Sequence, residues 1–96
     1  MVAMTVKVKL YANFKEACGK DSVQVEGAKD VASLIEKLVE MCGKKLVEEL
    51  YYPGGKRMVE TVQILVNGRG IKIPSGLGTL LKDGDVVAIF PPVAGG

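Results

Sequence analysis

One stretch of this sequence has residue types suited to chemistry at a chain terminus, and it is the last: Phe90-Pro91-Pro92-Val93-Ala94-Gly95-Gly96. Consecutive prolines hold φ near the polyproline value and donate no N–H, so the segment stays extended and cannot pair as an interior strand. Gly95 and Gly96 have no Cβ and can pass through a channel too narrow for other residues. From Pro91 to Gly96 such an arm spans roughly 20 Å. The expectation is a stiff arm that presents an unhindered carboxylate at Gly96.

The remainder of the chain points the catalysis elsewhere. There is no histidine, which removes histidine-based relays and the usual zinc sites. Cys18 and Cys42 lie far apart with no metal-type spacing, and they read as reduced, partly buried thiols rather than as a disulfide. The internal Gly54-Gly55 pair carries no free carboxylate and sits in a turn-rich run from Tyr51 to Arg57. That run lacks the glycine spacing and the Lys-Ser or Lys-Thr of a phosphate loop. Thirteen basic against eleven acidic residues leave a net charge of +2, with the lysines dispersed, so nucleic acid is not an expected partner. No apolar run is long enough for a membrane span, and no secretory signal is evident. The expectation is a soluble, cytoplasmic protein with no catalytic residues and no metal of its own.

The elements that must position the arm can be read in order. At 96 residues and 48% hydrophobic content, the chain makes one domain, with a body over 1–90 and the arm over 91–96. Thr5 to Ala12 alternates, with Val6, Val8, Leu10 and Ala12 facing inward, as a half-buried strand does. Asn13 to Lys20 reads as a connection with room for a helical turn at Lys15-Glu16-Ala17, and Asp21 to Glu26 as a second strand. Asp30 is placed to cap the main helix, whose inner stripe would be Val31, Leu34, Ile35, Leu38, Met41 and Cys42, with Gly43 as its stop. Lys44 to Leu50 fits either a short helix or an anchored loop. Thr61 to Val66, the Asn67-Gly68 turn and Arg69 to Ile73 form a hairpin. A compact connection over Gly76 to Leu81, with a helical turn at Thr79-Leu81, and the turn Lys82-Asp83-Gly84-Asp85 lead to a last strand, Val86 to Phe90. In that strand Val87 and Ile89 would face the helix and Phe90 would face outward beside the base of the arm. One long helix and flanking hairpins imply an α+β roll.

This order of elements resembles the ubiquitin-like β-grasp, a mixed sheet wrapped over one main helix. The end of the chain, from Lys82-Asp83-Gly84-Asp85 through Phe90-Pro91-Pro92-Val93 to Gly95-Gly96, resembles the small subunit of molybdopterin synthase, the MoaD family of ThiS-MoaD sulfur carriers. The run Ala12-Asn13-Phe14-Lys15-Glu16 is similar to that family's N-terminal region. Leu46 to Met58 departs from compact bacterial members and is closer to archaeal-type ones. The resemblance implies that an E1-like, MoeB-type enzyme uses ATP to adenylate Gly96, and that a sulfur donor system converts it to a thiocarboxylate. The tail, with Phe90, Pro91, Pro92, Val93 and Ala94 as partner contacts and Gly95 as its slim neck, would then enter a MoaE-type large subunit. There it would supply sulfur for the dithiolene of molybdopterin. It implies no bound cofactor and no membrane partner. The same tail serves ubiquitin-like modifiers joined through Gly96 to lysines, which is the competing reading. A thiamine-pathway carrier usually lacks the Phe-Pro-Pro-Val approach, and a plant-type iron–sulfur carrier needs four cysteines.

Overall fold

A computed structural model of the chain describes residues 4–91. Its elements are β1 (Thr5–Leu10), α1 (Ala12–Cys18), β2 (Ser22–Glu26), α2 (Val31–Cys42), α3 (Lys44–Leu50), β3 (Gln63–Val66), β4 (Arg69–Ile71), a 3₁₀ turn at Ser75–Gly78, and β5 (Val86–Phe90). Alternation decides the faces of the strands. In β1, Val6, Val8 and Leu10 are buried while Lys7 and Lys9 are exposed. β2 runs antiparallel to β1 and sets Val25 beside Val6 and Val23 beside Val8. The sheet order is β2-β1-β5-β3-β4. β5 lies in the middle, parallel to β1 and antiparallel to β3.

A parallel pair requires a long crossover, and here everything from α1 to the 3₁₀ turn lies between the two strands. The crossover carries α2 over the inner sheet face. Asp30 is in the extended conformation of an N-cap, and its Oδ1 accepts from the Ser33 N–H at 2.8 Å. That backbone hydrogen bond is the main reason its carboxyl titrates below the ordinary aspartate range. Val31, Leu34, Ile35 and Leu38 are buried in one cluster with Val6, Val8, Val87 and Ile89. Gly43, at φ +82°, stops the helix and donates its N–H to the Val39 carbonyl at 2.7 Å. Met41, expected on the buried stripe, is instead 54% exposed. It sits at the margin of the 3.6-residue stripe, on the far side of Leu34 from the stripe's centre.

Three other stretches differ from what the sequence suggests. The first strand ends at Leu10, and Ala12, instead of facing inward from that strand, opens α1 at φ +52°. α1 is a full helix where only a turn was expected, anchored by the fully buried Phe14. The helical turn expected at Thr79-Leu81 lies earlier, at Ser75–Gly78, while Leu80 makes an isolated bridge to Asp30. Lys44–Leu50 is a helix, with Leu46 and Leu50 buried.

The cysteines also differ. Cys18 and Cys42, expected as reduced thiols, are joined in a disulfide, with Cα atoms 4.8 Å apart. Each is the last residue of its helix, α1 or α2, and the helix ends meet at a separation within disulfide range. No helix among the described residues is long and apolar enough to cross a membrane.

Closing a loop across a sequence separation of 24 removes chain entropy from the unfolded state worth about 3 kcal/mol. The Cys18→Ser/Cys42→Ser variant should therefore unfold at a clearly lower denaturant midpoint than the oxidised chain. Addition of a dithiol reductant should lower the midpoint of the unsubstituted chain by a similar amount. Identical midpoints with and without reductant would contradict the bridge.

Candidate functional site

The geometry that matters is where β5 delivers the chain. Val87 and Ile89 are fully buried, and Val86, Ala88 and Phe90 lie half-buried on the open face. Because β5 is central, both of its flanks are hydrogen-bonded. Leu10 is registered with Ile89 on one side, and Gln63 with Phe90 on the other. The chain thus passes from Phe90 to Pro91 at the middle of the sheet. Phe90 and Pro91, two of the residues expected at the site, are placed there, and Pro91 is half-buried. Pro92, Val93, Ala94, Gly95 and Gly96 lie outside the described residues.

The opposite end of β5 is held by two interlocked turns. Asp83 Oδ1 accepts from the Thr5 N–H at 2.8 Å, and Gly84 donates its N–H to the Thr5 carbonyl at 2.8 Å. Asp85 accepts twice on its carboxylate, from the Lys82 N–H at 2.8 Å and from Asn67 Nδ2 at 2.9 Å. Asn67 in turn accepts the Val86 N–H on Oδ1 at 2.9 Å and donates its own N–H to the Val86 carbonyl at 2.8 Å. Asn67 and Gly68 both have positive φ, as a two-residue hairpin turn demands. The Asn67 amide, and after it the Lys82 N–H, hold the Asp85 carboxyl below its ordinary titration range. Lys82-Asp83-Gly84-Asp85 therefore works as a clasp that registers β1, β5 and β3 to one another.

At the arm's root the structure adds a residue that sequence reading did not select. The Tyr11 ring stacks on Phe90 with centroids 4.2 Å apart and planes 10° from parallel. Tyr11 follows β1 directly and stays 38% exposed. The signal available in the sequence is that the two strands both carry an aromatic residue at the outward position nearest their ends. Only the parallel register of β1 with β5 makes them neighbours. Ala12, next in the chain, has the left-handed φ of +52°, which costs a non-glycine residue about 1–2 kcal/mol. The turn it makes separates β1 from α1.

A five-stranded mixed sheet wrapped on one main helix, with the last strand at its centre, defines a ubiquitin-like β-grasp protein. The chain belongs to the ThiS family, whose profile matches residues 8–96. It is 32% identical to small archaeal modifier protein 3 of Haloferax volcanii, over 97% of this chain and all of that one. It is equally 32% identical to the molybdopterin synthase sulfur carrier subunit of Mycobacterium tuberculosis, over 95% of this chain and 96% of that one. Among solved structures, the crystal structure of SAMP1 from Haloferax volcanii superposes with a TM-score of 0.78 at 29% identity, covering 96% of this chain and 99% of that one. The relatives thus include both sulfur carriers and protein modifiers.

Two outcomes test this geometry. Aromatic pairs contribute about 0.5–1.5 kcal/mol beyond burial. A double-mutant cycle of Tyr11→Ala with Phe90→Ala in denaturant should return a coupling of that size, and Tyr11→Phe should keep it. A coupling of zero would mean that the rings touch without holding each other. The clasp predicts a pH signature. Asp85 has its folded pKa lowered, so its contribution is complete above the unfolded value of about 4 and is lost as pH falls through the lower folded value. Asp85→Asn should lower Tm by about 4–8 °C at neutral pH, the effect of losing about 1 kcal/mol. The gap between variant and parent should close on acidification, as followed by thermal melts from neutral to strongly acid pH.

Proposed function

We propose that this chain is the sulfur-carrying small subunit of a molybdopterin synthase, with Gly96 as the acceptor of sulfur. The observation that carries the reading is the family match running through Gly96 on a body whose central strand ends at the arm's root. The relative from Mycobacterium tuberculosis, matched over nearly the whole of both chains, supports the synthase role.

The chemistry follows from the carboxylate. An E1-like enzyme of MoeB type lets the Gly96 carboxylate attack the α-phosphate of ATP, releasing pyrophosphate and forming an acyl adenylate. A sulfur nucleophile from a donor system displaces AMP. With a persulfide as that nucleophile the product is an acyl disulfide. A thiol that attacks the donor's sulfur takes it away as a disulfide and leaves a thiocarboxylate at Gly96. The thiocarboxylate is the better nucleophile, and inside a MoaE-type subunit its sulfur bonds to a carbon of the pterin precursor as a carbon–oxygen bond there breaks and the oxygen leaves with a proton. Hydrolysis of the resulting thioester leaves sulfur on the pterin and restores the Gly96 carboxylate. Gly95 and Gly96 suit a narrow cleft because they lack side chains. Phe90 and Val93 serve as apolar anchors at its mouth, alongside Pro91, Pro92 and Ala94. Acids, bases and the nucleotide site belong to the partners, so the chain acts as a co-substrate.

A second reading, conjugation of Gly96 to lysine amines, is favoured by the likeness to the Haloferax volcanii modifier protein. It shares the adenylation step and differs in the nucleophile. Mass analysis of the C-terminal peptide from native cells separates the two. Exchange of one oxygen for sulfur at Gly96 is expected for the carrier, and isopeptide adducts to lysines without that exchange would overturn it. A residue appended after Gly96 should abolish thiocarboxylate formation altogether.

A further inference from the structure

A hollow of about 480 Å³ lies beside the root of the arm, lined chiefly by Lys7, Lys9, Lys15, Tyr11, Asp21 and Ser22. Lys7 and Lys9 project from β1 on the open face of the sheet. They are registered with Gln24 and Ser22 of β2 on one side and with Val86 and Ala88 of β5 on the other. None of these neighbours is an acid. Lys15 reaches the same hollow from α1, and Asp21 is the one carboxylate in its lining. The ion pair found among the described residues, Arg57 with Glu60, lies elsewhere. Three ammonium groups therefore share one concavity with a single carboxylate, and none of the three forms a salt bridge with another described residue. Like charges held together repel, and an acidic partner relieves that repulsion.

The hollow is also continuous with the arm's footing. Tyr11 lines it and at the same time stacks on Phe90. A protein that binds against Phe90 therefore has this hollow next to it. We infer that the Lys7-Lys9-Lys15 hollow docks an acidic segment of the enzyme that activates Gly96. The inference rests on the proposed function, and it names the surface chemistry of the partner. Nucleic acid is a poorer occupant, because the whole chain carries only +2 and the stacked face of Tyr11 is already taken by Phe90. Charges at the rim of an interface act mainly on encounter and affinity, and their effect is screened by salt.

The test uses the full chain and its purified activating enzyme. The Lys7→Glu/Lys9→Glu variant is compared with Lys44→Glu/Lys45→Glu, which makes the same change in net charge on exposed residues of α3. Binding is titrated without ATP, and thiocarboxylate formation is followed separately with ATP and a sulfur donor. The hollow variant should bind about ten-fold or more weakly at low salt, raise KM by a similar factor and leave kcat in place, with the gap narrowing as salt is added. The α3 variant should behave as the parent. Equal binding by the two variants would overturn the docking site. So would retention of the parent chain, but not of the hollow variant, on a single-stranded oligonucleotide at physiological salt. Charge-sensitive binding without any thiocarboxylate on the parent would leave the docking site standing and remove the sulfur-carrier reading.

Discussion

The parallel pairing of β1 with β5 is the constraint on which the rest of this structure depends. It joins the first strand to the last of the described elements and closes the sheet around a strand buried on its inner face. Every other feature accommodates it. The crossover it demands supplies α2 as the cover of the core. The Asn67 and Lys82–Asp85 turns fix its register at one end, and Tyr11 meets Phe90 at the other. With both flanks bonded, β5 cannot slide by two residues without breaking its backbone bonds to β1 and β3 together. The direction in which the chain leaves Phe90 is thereby set by the sheet and not by the arm itself.

Much of this was legible in the amino-acid order where local physics decides. Alternation in β1 and β5, the stripe of α2 with Asp30 before it, and Asn67-Gly68 all signal their structures within a few residues. α1 was harder, because it is seven residues long, begins from a left-handed alanine and buries Phe14 rather than a repeating stripe. Met41 shows the limit of periodicity at a stripe's margin. The disulfide was hidden for a different reason. Pairing Cys18 with Cys42 depends on where two helices end relative to each other, which no local pattern records. Tyr11 at the arm's root was missed in the same way, since its neighbour lies 79 positions along the chain and meets it only through the register of β1 with β5.

The division of labour between body and arm also has an electrostatic side. The core contains no buried charged or polar residue among those described, so the body is held by apolar packing and by hydrogen bonds at its turns. Its charges are free to be distributed for other purposes. On the open sheet face they separate into an uncharged apolar strip along β5 and a basic flank along β1. β5, whose last residue is Phe90, lies directly beside that basic flank.

The central place of β5 bears on when the molecule becomes competent during synthesis. β1 with β2 and β3 with β4 are each local antiparallel pairs that can form early, but nothing joins these halves in the sheet until β5 is inserted between them. Because β5 is the last described element to leave the ribosome, completion of the sheet and appearance of the arm are nearly the same event. A chain still unfolded would offer the same terminal residues without the ridge, the basic border or the footing at Tyr11. Partners that read those features together would in effect inspect the fold before engaging the tail.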